Sequence, residues 1–203
     1  MNYDWNPSNY IKVVEKKENV FLQKYMQAEL EYITTKIENP EEKTFIDVGA
    51  GYGRVIPVFA AISKKVIAVE LDKQALEELK RRTKQHKNTV IVECDAQNLS
   101  ICLEKSIIDK PVVVCLQNSL GTPYGDPYKI ISEMAKVAKN NNGELIISLF
   151  TQEGLKDYGV PLYDLVFELT GKPDLEKTDF ENGNFVSRTG YKSHWWKPEE
   201  REE

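Results

Sequence analysis

The chain has 203 residues, which at the usual size of a domain leaves room for one. Hydrophobic residues make up 41% of it, enough to build a core, which excludes a disordered chain and a small disulfide-stapled scaffold. Acidic residues outnumber basic ones by 32 to 27, a net charge of -5, so no long-range field draws the whole molecule to a polyanion and a nucleic-acid partner is not expected.

The opening MNYDWNPSNY lacks both the basic start and the apolar run of a signal peptide. The longest strongly apolar stretches, such as Val112 to Leu116, are about a quarter of the ~20 residues that cross a bilayer, so the expectation is a cytoplasmic protein without a membrane partner. Apolar side chains then recur at Ile11, Val14, Phe21, Leu22, Tyr25, Leu30, Ile33 and Ile37, mostly three, four or seven apart. That spacing predicts one or two amphipathic helices ending before Pro40.

From Lys43 the period changes. Thr44 to Val48 reads as a buried strand running into glycines, followed by strands at 66–70, 89–93, 112–116 and 144–149. Between them lie helices at about 73–85 and 127–139 and a short one near Ile101. Strands alternating with helices and apolar on both faces predict a doubly wound, mostly parallel α/β sheet. In the tail, Asp179 to Phe185 places a turn between two strand-like segments, and the aromatic run to Trp196 predicts an antiparallel hairpin or edge strand. No repeats or linkers interrupt the chain, which reads as one domain: a helical cap over 1–40, a core over 43–150 and a carboxyl-terminal segment over 151–203.

Cys94, Cys102 and Cys115 match neither a CxxC redox motif nor a paired zinc knuckle. They read as small buried hydrophobes in a reducing compartment, and no metal is expected.

The most informative segment is Phe45-Ile46-Asp47-Val48-Gly49-Ala50-Gly51-Tyr52-Gly53-Arg54. Alternate glycines let the backbone take positive φ and approach a ligand with no Cβ in the way, and a helix starting near Arg54 aims free N–H groups at the same place. The alternative is a tight strand-to-helix connection that holds nothing. A dinucleotide fingerprint would need a glycine where Arg54 stands, and Asp47 would repel its pyrophosphate. A ligand with a cationic amino acid end suits Asp47 better. Glu70, at the end of the second strand, can accept both hydroxyls of a ribose, or else cap the next helix or face water; Asp72 is the better candidate for the cap. Asp95, past the third strand, can accept from an adenine amino group.

DVGAGYG, then VELD, CDA and VVVCLQNSLGT, resemble the first four motifs of the class I S-adenosylmethionine-dependent methyltransferases over roughly Phe45 to Phe150. The resemblance implies a Rossmann-like methyltransferase fold and S-adenosylmethionine as cofactor. It assigns Asp47, Gly49, Ala50, Gly51 and Gly53 to the methionine end, Glu70 to the ribose, Leu71 to the adenine face, and Asp95 with Ala96 to the adenine edge. Leu116 and Asn118 join the cofactor side, and Asn118 would also line the methyl-transfer pocket. Within the family, CLQNSLG is similar to the fourth motif of glycine and sarcosine N-methyltransferases, which implies a small amine as acceptor. Tyr3, Trp5 and Tyr10 would form a lid over the cofactor or pack against the sheet.

Two departures from the family pattern stand out. No (N/D)PP(Y/F/W) string follows the fourth strand, which counts against methylation of exocyclic amines on nucleobases. After Trp195-Trp196-Lys197-Pro198 only five charged residues remain, so either the chain is naturally short or its end lies beyond this sequence; a sheet left incomplete would need its edge covered, by another subunit or by the amino-terminal helix.

Methyl transfer from a sulfonium is an in-line displacement, and orientation with desolvation can do most of the work. An amine acceptor must arrive deprotonated, yet no residue is identified as the base. On the acceptor side the candidates are Asn118, Arg188, Tyr191 and His194, with Arg188 suited to a substrate carboxylate. The basic run Lys80 to Lys87 reads as a solvated helix face more readily than as an RNA contact. The reading is a methyltransferase acting on a small molecule, more at nitrogen than at oxygen or carbon. Its rivals are an RNA or protein methyltransferase, an NAD-binding oxidoreductase and a noncatalytic module that binds the same cofactor.

Overall fold

The computed structural model describes Ile11, Val14 and residues 20–122 and 124–201. The expected lid residues Tyr3, Trp5 and Tyr10 lie outside this set. The described chain forms two compact units. One comprises 30–116 and 125–148; the other is assembled from residues up to Glu29, from 117–124 and from Leu149 onward.

The first unit is a five-stranded parallel sheet: β1 (Thr44–Val48), β2 (Lys65–Glu70), β3 (Thr89–Glu93), β4 (Val112–Cys115) and β5 (Glu144–Ile147), in the order β3-β2-β1-β4-β5. The sheet reverses its winding beside β1, which puts the ends of β1, β2 and β4 side by side, the place where open α/β sheets take ligands. β1 and β4 are buried at every residue, as expected of central strands covered on both faces. Phe45, Phe59, Val66, Ala68, Leu79, Val112 and Val114 form the centre of an aliphatic core.

Helices in this unit begin where the side chains supply caps. Asp72 accepts from the Ala75 N–H at 2.8 Å and starts the helix Lys73–Thr83; Asp126 accepts from Tyr128 and Lys129 and starts Pro127–Asn140. The helix after the glycine turn begins at Ile56, two residues later than expected, because Gly51 to Val55 are taken up by the turn itself.

The cysteine reading needs correction. Cys94 and Cys102 are joined in a disulfide, with Cα atoms 6.2 Å apart; Cys115 keeps its thiol and is buried. A short helical turn, Ala96–Asn98, followed by the helix Leu99–Cys102, folds the chain back so that residues eight apart meet.

The second unit has a different makeup. Its antiparallel pair, β6 (Asn184–Val186) with β7 (Lys192–His194), is the predicted hairpin, and the turn at 179–184 is closed by mutual Asp179 and Asn184 backbone bonds. Phe150, Tyr163, Phe185 and Trp195 supply its core, with Tyr163 stacked on Phe185 at 3.8 Å. Short helices at Val160–Leu165 and Phe167–Thr170 were not predicted from the sequence. Among the described residues no helix is long and apolar enough to cross a membrane.

Candidate functional site

β1 carries Asp47, 4% exposed, in register with Ala68 and Val114, and stops at Gly49. There the backbone turns. Gly49, Gly51 and Gly53 all have positive φ, at 74°, 54° and 82°. The Gly49 and Ala50 N–H groups donate to the Val69 carbonyl, which anchors the turn to β2.

Gly51 and Gly53 do different jobs. A Cβ at Gly51 would meet nothing within 4 Å, so this residue borders open space. A Cβ at Gly53 would lie 2.6 Å from Leu79 Cδ1 and 3.3 Å from Ile56 Cγ1, so its lack of a side chain lets a helix pack on the turn. Ligand approach belongs to Gly51, and packing belongs to Gly53.

Glu70 closes the rim. Its Oε2 accepts from the Gly51 N–H at 2.7 Å, and its Oε1 accepts from the Leu71 and Asp72 N–H groups at 2.7 and 2.8 Å. The carboxylate therefore ties the tip of β2 to the glycine turn. Leu71 beside it is 53% exposed, an apolar side chain facing water at the sheet's end.

Past β3, the Cys94 N–H donates to the Glu70 carbonyl, which places Asp95 and Ala96, both half-buried, next in line along the same edge of the sheet. Leu116, just beyond β4, is 6% exposed and belongs to the aliphatic core. Asp47, the glycine turn, Glu70, Leu71, Asp95 and Ala96 are thus gathered at neighbouring strand ends of one unit.

The acceptor-side candidates all belong to the other unit. Asn118, 2% exposed and in the left-handed region at φ 55°, has its side chain fully engaged. Its Nδ2 donates to the His194 carbonyl at 3.0 Å, and its Oδ1 accepts from the Phe150 N–H and Trp196 Nε1, both at 3.1 Å. His194 has Asn184 Oδ1 at 2.9 Å from Nδ1 and the Glu200 carboxylate at 3.1 Å from Nε2. Arg188 is exposed, with its N–H bonded to the Lys172 carbonyl, and Tyr191 is half-buried near the Tyr163 ring.

A family model described as a methyltransferase domain matches residues 46–147, half of the chain. The chain belongs to this family. The matched segment is a methyltransferase domain, and the cofactor that its motifs imply is S-adenosylmethionine. The residues at the strand ends fit that cofactor: an open cradle at Gly51 admits close approach, and the carboxylates of Asp47, Glu70 and Asp95 suit a cationic ligand rich in hydroxyl and amino donors. The methyltransferase is similar to an rRNA adenine N-6-methyltransferase of Bacillus licheniformis, 28% identical over 55% of this chain and 34% of that protein. It is also similar to the ribosomal RNA small subunit methyltransferase A of Caldanaerobacter subterraneus, 28% identical over 66% of this chain and 51% of that protein. The chain thus spans between a third and a half of the length of these relatives. A crystal structure of an S-adenosylmethionine-dependent methyltransferase from Clostridium acetobutylicum matches 92% of this chain and 85% of its own with a TM-score of 0.57 at 17% identity, a likeness of fold.

Three features of the site had no counterpart in the sequence reading: the Cys94–Cys102 link, the bonds of Gln97 to Asp95, and the crowding at Gly121. The first could have been suspected from two cysteines eight residues apart between a predicted strand and a predicted short helix; the other two carry no local signal.

Proposed function

We propose that this methyltransferase transfers the methyl of S-adenosylmethionine to a small-molecule acceptor, at nitrogen, within a single domain. The observation that carries this is at Gly121. In an (N/D)PP(Y/F/W) string beginning at Asn118, the aromatic would fall on residue 121. Here that residue is glycine, and even a Cβ would lie 2.3 Å from both Asn118 Nδ2 and the His194 carbonyl oxygen. No aromatic ring can stand there to stack on a nucleobase.

The charge pattern supports the same reading. Of the basic run, Lys80 pairs with Glu77 and Arg81 with Glu78 on an exposed helix face, while Arg82 lies over the Tyr52 ring at 4.7 Å, so three of the charges have partners within the same unit. An RNA groove would need those charges for phosphates. On the cofactor side, Asp47 and the Gly49–Gly53 turn, with Ala50, would hold the methionine end, Glu70 the ribose, Leu71 the adenine face and Asp95 with Ala96 the adenine edge; Leu116 and Asn118 are the further proposed cofactor contacts. On the acceptor side the proposed contacts are Asn118, Arg188, Tyr191 and His194. The rRNA methyltransferases among the relatives favour RNA as the second reading.

The test is formation of S-adenosylhomocysteine by the full chain with a panel of small primary and secondary amines, and separately with unmodified ribosomal RNA. Turnover with an amine and none with RNA is expected. Methylation of RNA with no amine accepted would overturn the acceptor assignment while leaving the cofactor site intact.

A further inference from the structure

Past β3, one side chain links the proposed adenine edge to a second loop. The Gln97 N–H donates to Asp95 Oδ1 at 2.9 Å. Its Nε2 lies 3.3 Å from Oδ1 and 3.1 Å from Oδ2 of the same carboxylate. Its Oε1 accepts from the Asp126 N–H at 3.2 Å. That last bond fixes the orientation of the amide: an oxygen must face the backbone donor, so the NH2 must face Asp95. Gly125, at φ 78°, brings the second loop close enough that a Cβ there would lie 3.1 Å from Gln97 Cδ.

A carboxylate offers about four lone-pair directions, two on each oxygen. In this arrangement Oδ1 accepts twice from Gln97 and Oδ2 once, which leaves one direction on Oδ2. We infer that Gln97 is a positioning residue for purine recognition: it holds the Asp95 carboxylate so that this last lone pair serves a 6-amino group and rejects a 6-oxo group. A 6-amino purine brings a hydrogen to the waiting oxygen. A 6-oxo purine brings an oxygen against an oxygen, which the held carboxylate cannot turn away from. The inference rests on the reading of Asp95 as the adenine-edge residue.

The experiment measures, by calorimetry on the full chain, the dissociation constants of S-adenosylhomocysteine and of its 6-oxo counterpart, S-inosylhomocysteine. Four proteins are compared: wild type, Gln97→Met, Gln97→Glu and Asp95→Ala. Gln97→Met is expected to weaken the adenosyl ligand by about threefold to tenfold, the loss of one oriented hydrogen bond, and to leave the inosyl ligand within about twofold. Gln97→Glu, which sets a second carboxylate against Asp95, is expected to weaken the adenosyl ligand further. Equal weakening of both ligands by Gln97→Met, or no weakening of either, would overturn the positioning role. If Asp95→Ala erases the preference for the 6-amino base and Gln97→Met leaves it whole, the inference fails and the adenine reading stands. If Asp95→Ala leaves the preference whole, the adenine reading itself fails.

Discussion

The parallel-sheet unit buries aliphatic side chains drawn from its strands and helices and keeps several polar groups at the strand ends; the other unit buries aromatic rings, Trp196 among them with its indole N–H bonded to the Asn118 amide. In the first, saturated side chains need no hydrogen-bond partners, and the polar groups gather at the strand ends, where the Glu70 carboxylate accepts from the Gly51, Leu71 and Asp72 N–H groups. In the second, the indole N–H groups of Trp195 and Trp196 are buried and each must find an acceptor: Tyr163 for one, Asn118 for the other. At the strand ends the Glu70 carboxylate fixes backbone, whereas the Asn118 amide accepts from the Phe150 N–H and from the Trp196 indole.

The largest effect that would break this contrast is at Asn118. Asn118→Ala leaves Trp196 Nε1 and the Phe150 N–H without their acceptor, and urea denaturation should show a loss of about 3 kcal/mol. A loss under about 1 kcal/mol would mean that the rings hold their places without the amide.

The glycines sharpen the contrast within the sheet unit. Gly53→Ala adds a Cβ against Leu79 at positive φ and should cost about 2–3 kcal/mol of stability. Gly51→Ala adds only the strain of left-handed backbone, about 1 kcal/mol, and should instead weaken cofactor binding. Thermal melts with and without S-adenosylhomocysteine separate the two, and the assignment of packing to one glycine and approach to the other fails if Gly51→Ala proves the less stable variant.

The smallest effect concerns Glu133, buried at 6% exposure. Its carboxyl is lowered from 4.5 to about 2, first by the Lys136 hydrogen bond and then by the Ser100 hydroxyl. Because the folded value lies below the ordinary one, this contribution is complete above pH 4.5 and is lost as pH falls through about 2. Glu133→Gln should cost about 1 kcal/mol at pH 7 and progressively less toward pH 2. Chemical denaturation at pH 7 and pH 3 measures the difference; an equal cost at both would remove the carboxylate from the account.

Most of the sheet unit was legible in the sequence because its signals are local. β1 and β3 fall on the expected residues, and Asp72 caps its helix as its place after Glu70 suggested. The glycine turn was legible as well, though not the division of labour between Gly51 and Gly53, which depends on Leu79 coming to rest beside one and not the other. The other unit was largely illegible. Asn118 meets a partner 78 residues away at Trp196, and no periodicity encodes such a pairing. The short helices between Gly159 and Gly171 run six and four residues, too brief for a hydrophobic stripe to repeat.

The bridge from Cys94 to Cys102 makes the stretch that carries Asp95, Ala96 and Gln97 a covalent ring. A protease cutting anywhere inside that ring would split the polypeptide without separating it. Such a nicked molecule keeps its full mass on an unreduced gel and falls into two fragments once a thiol is added.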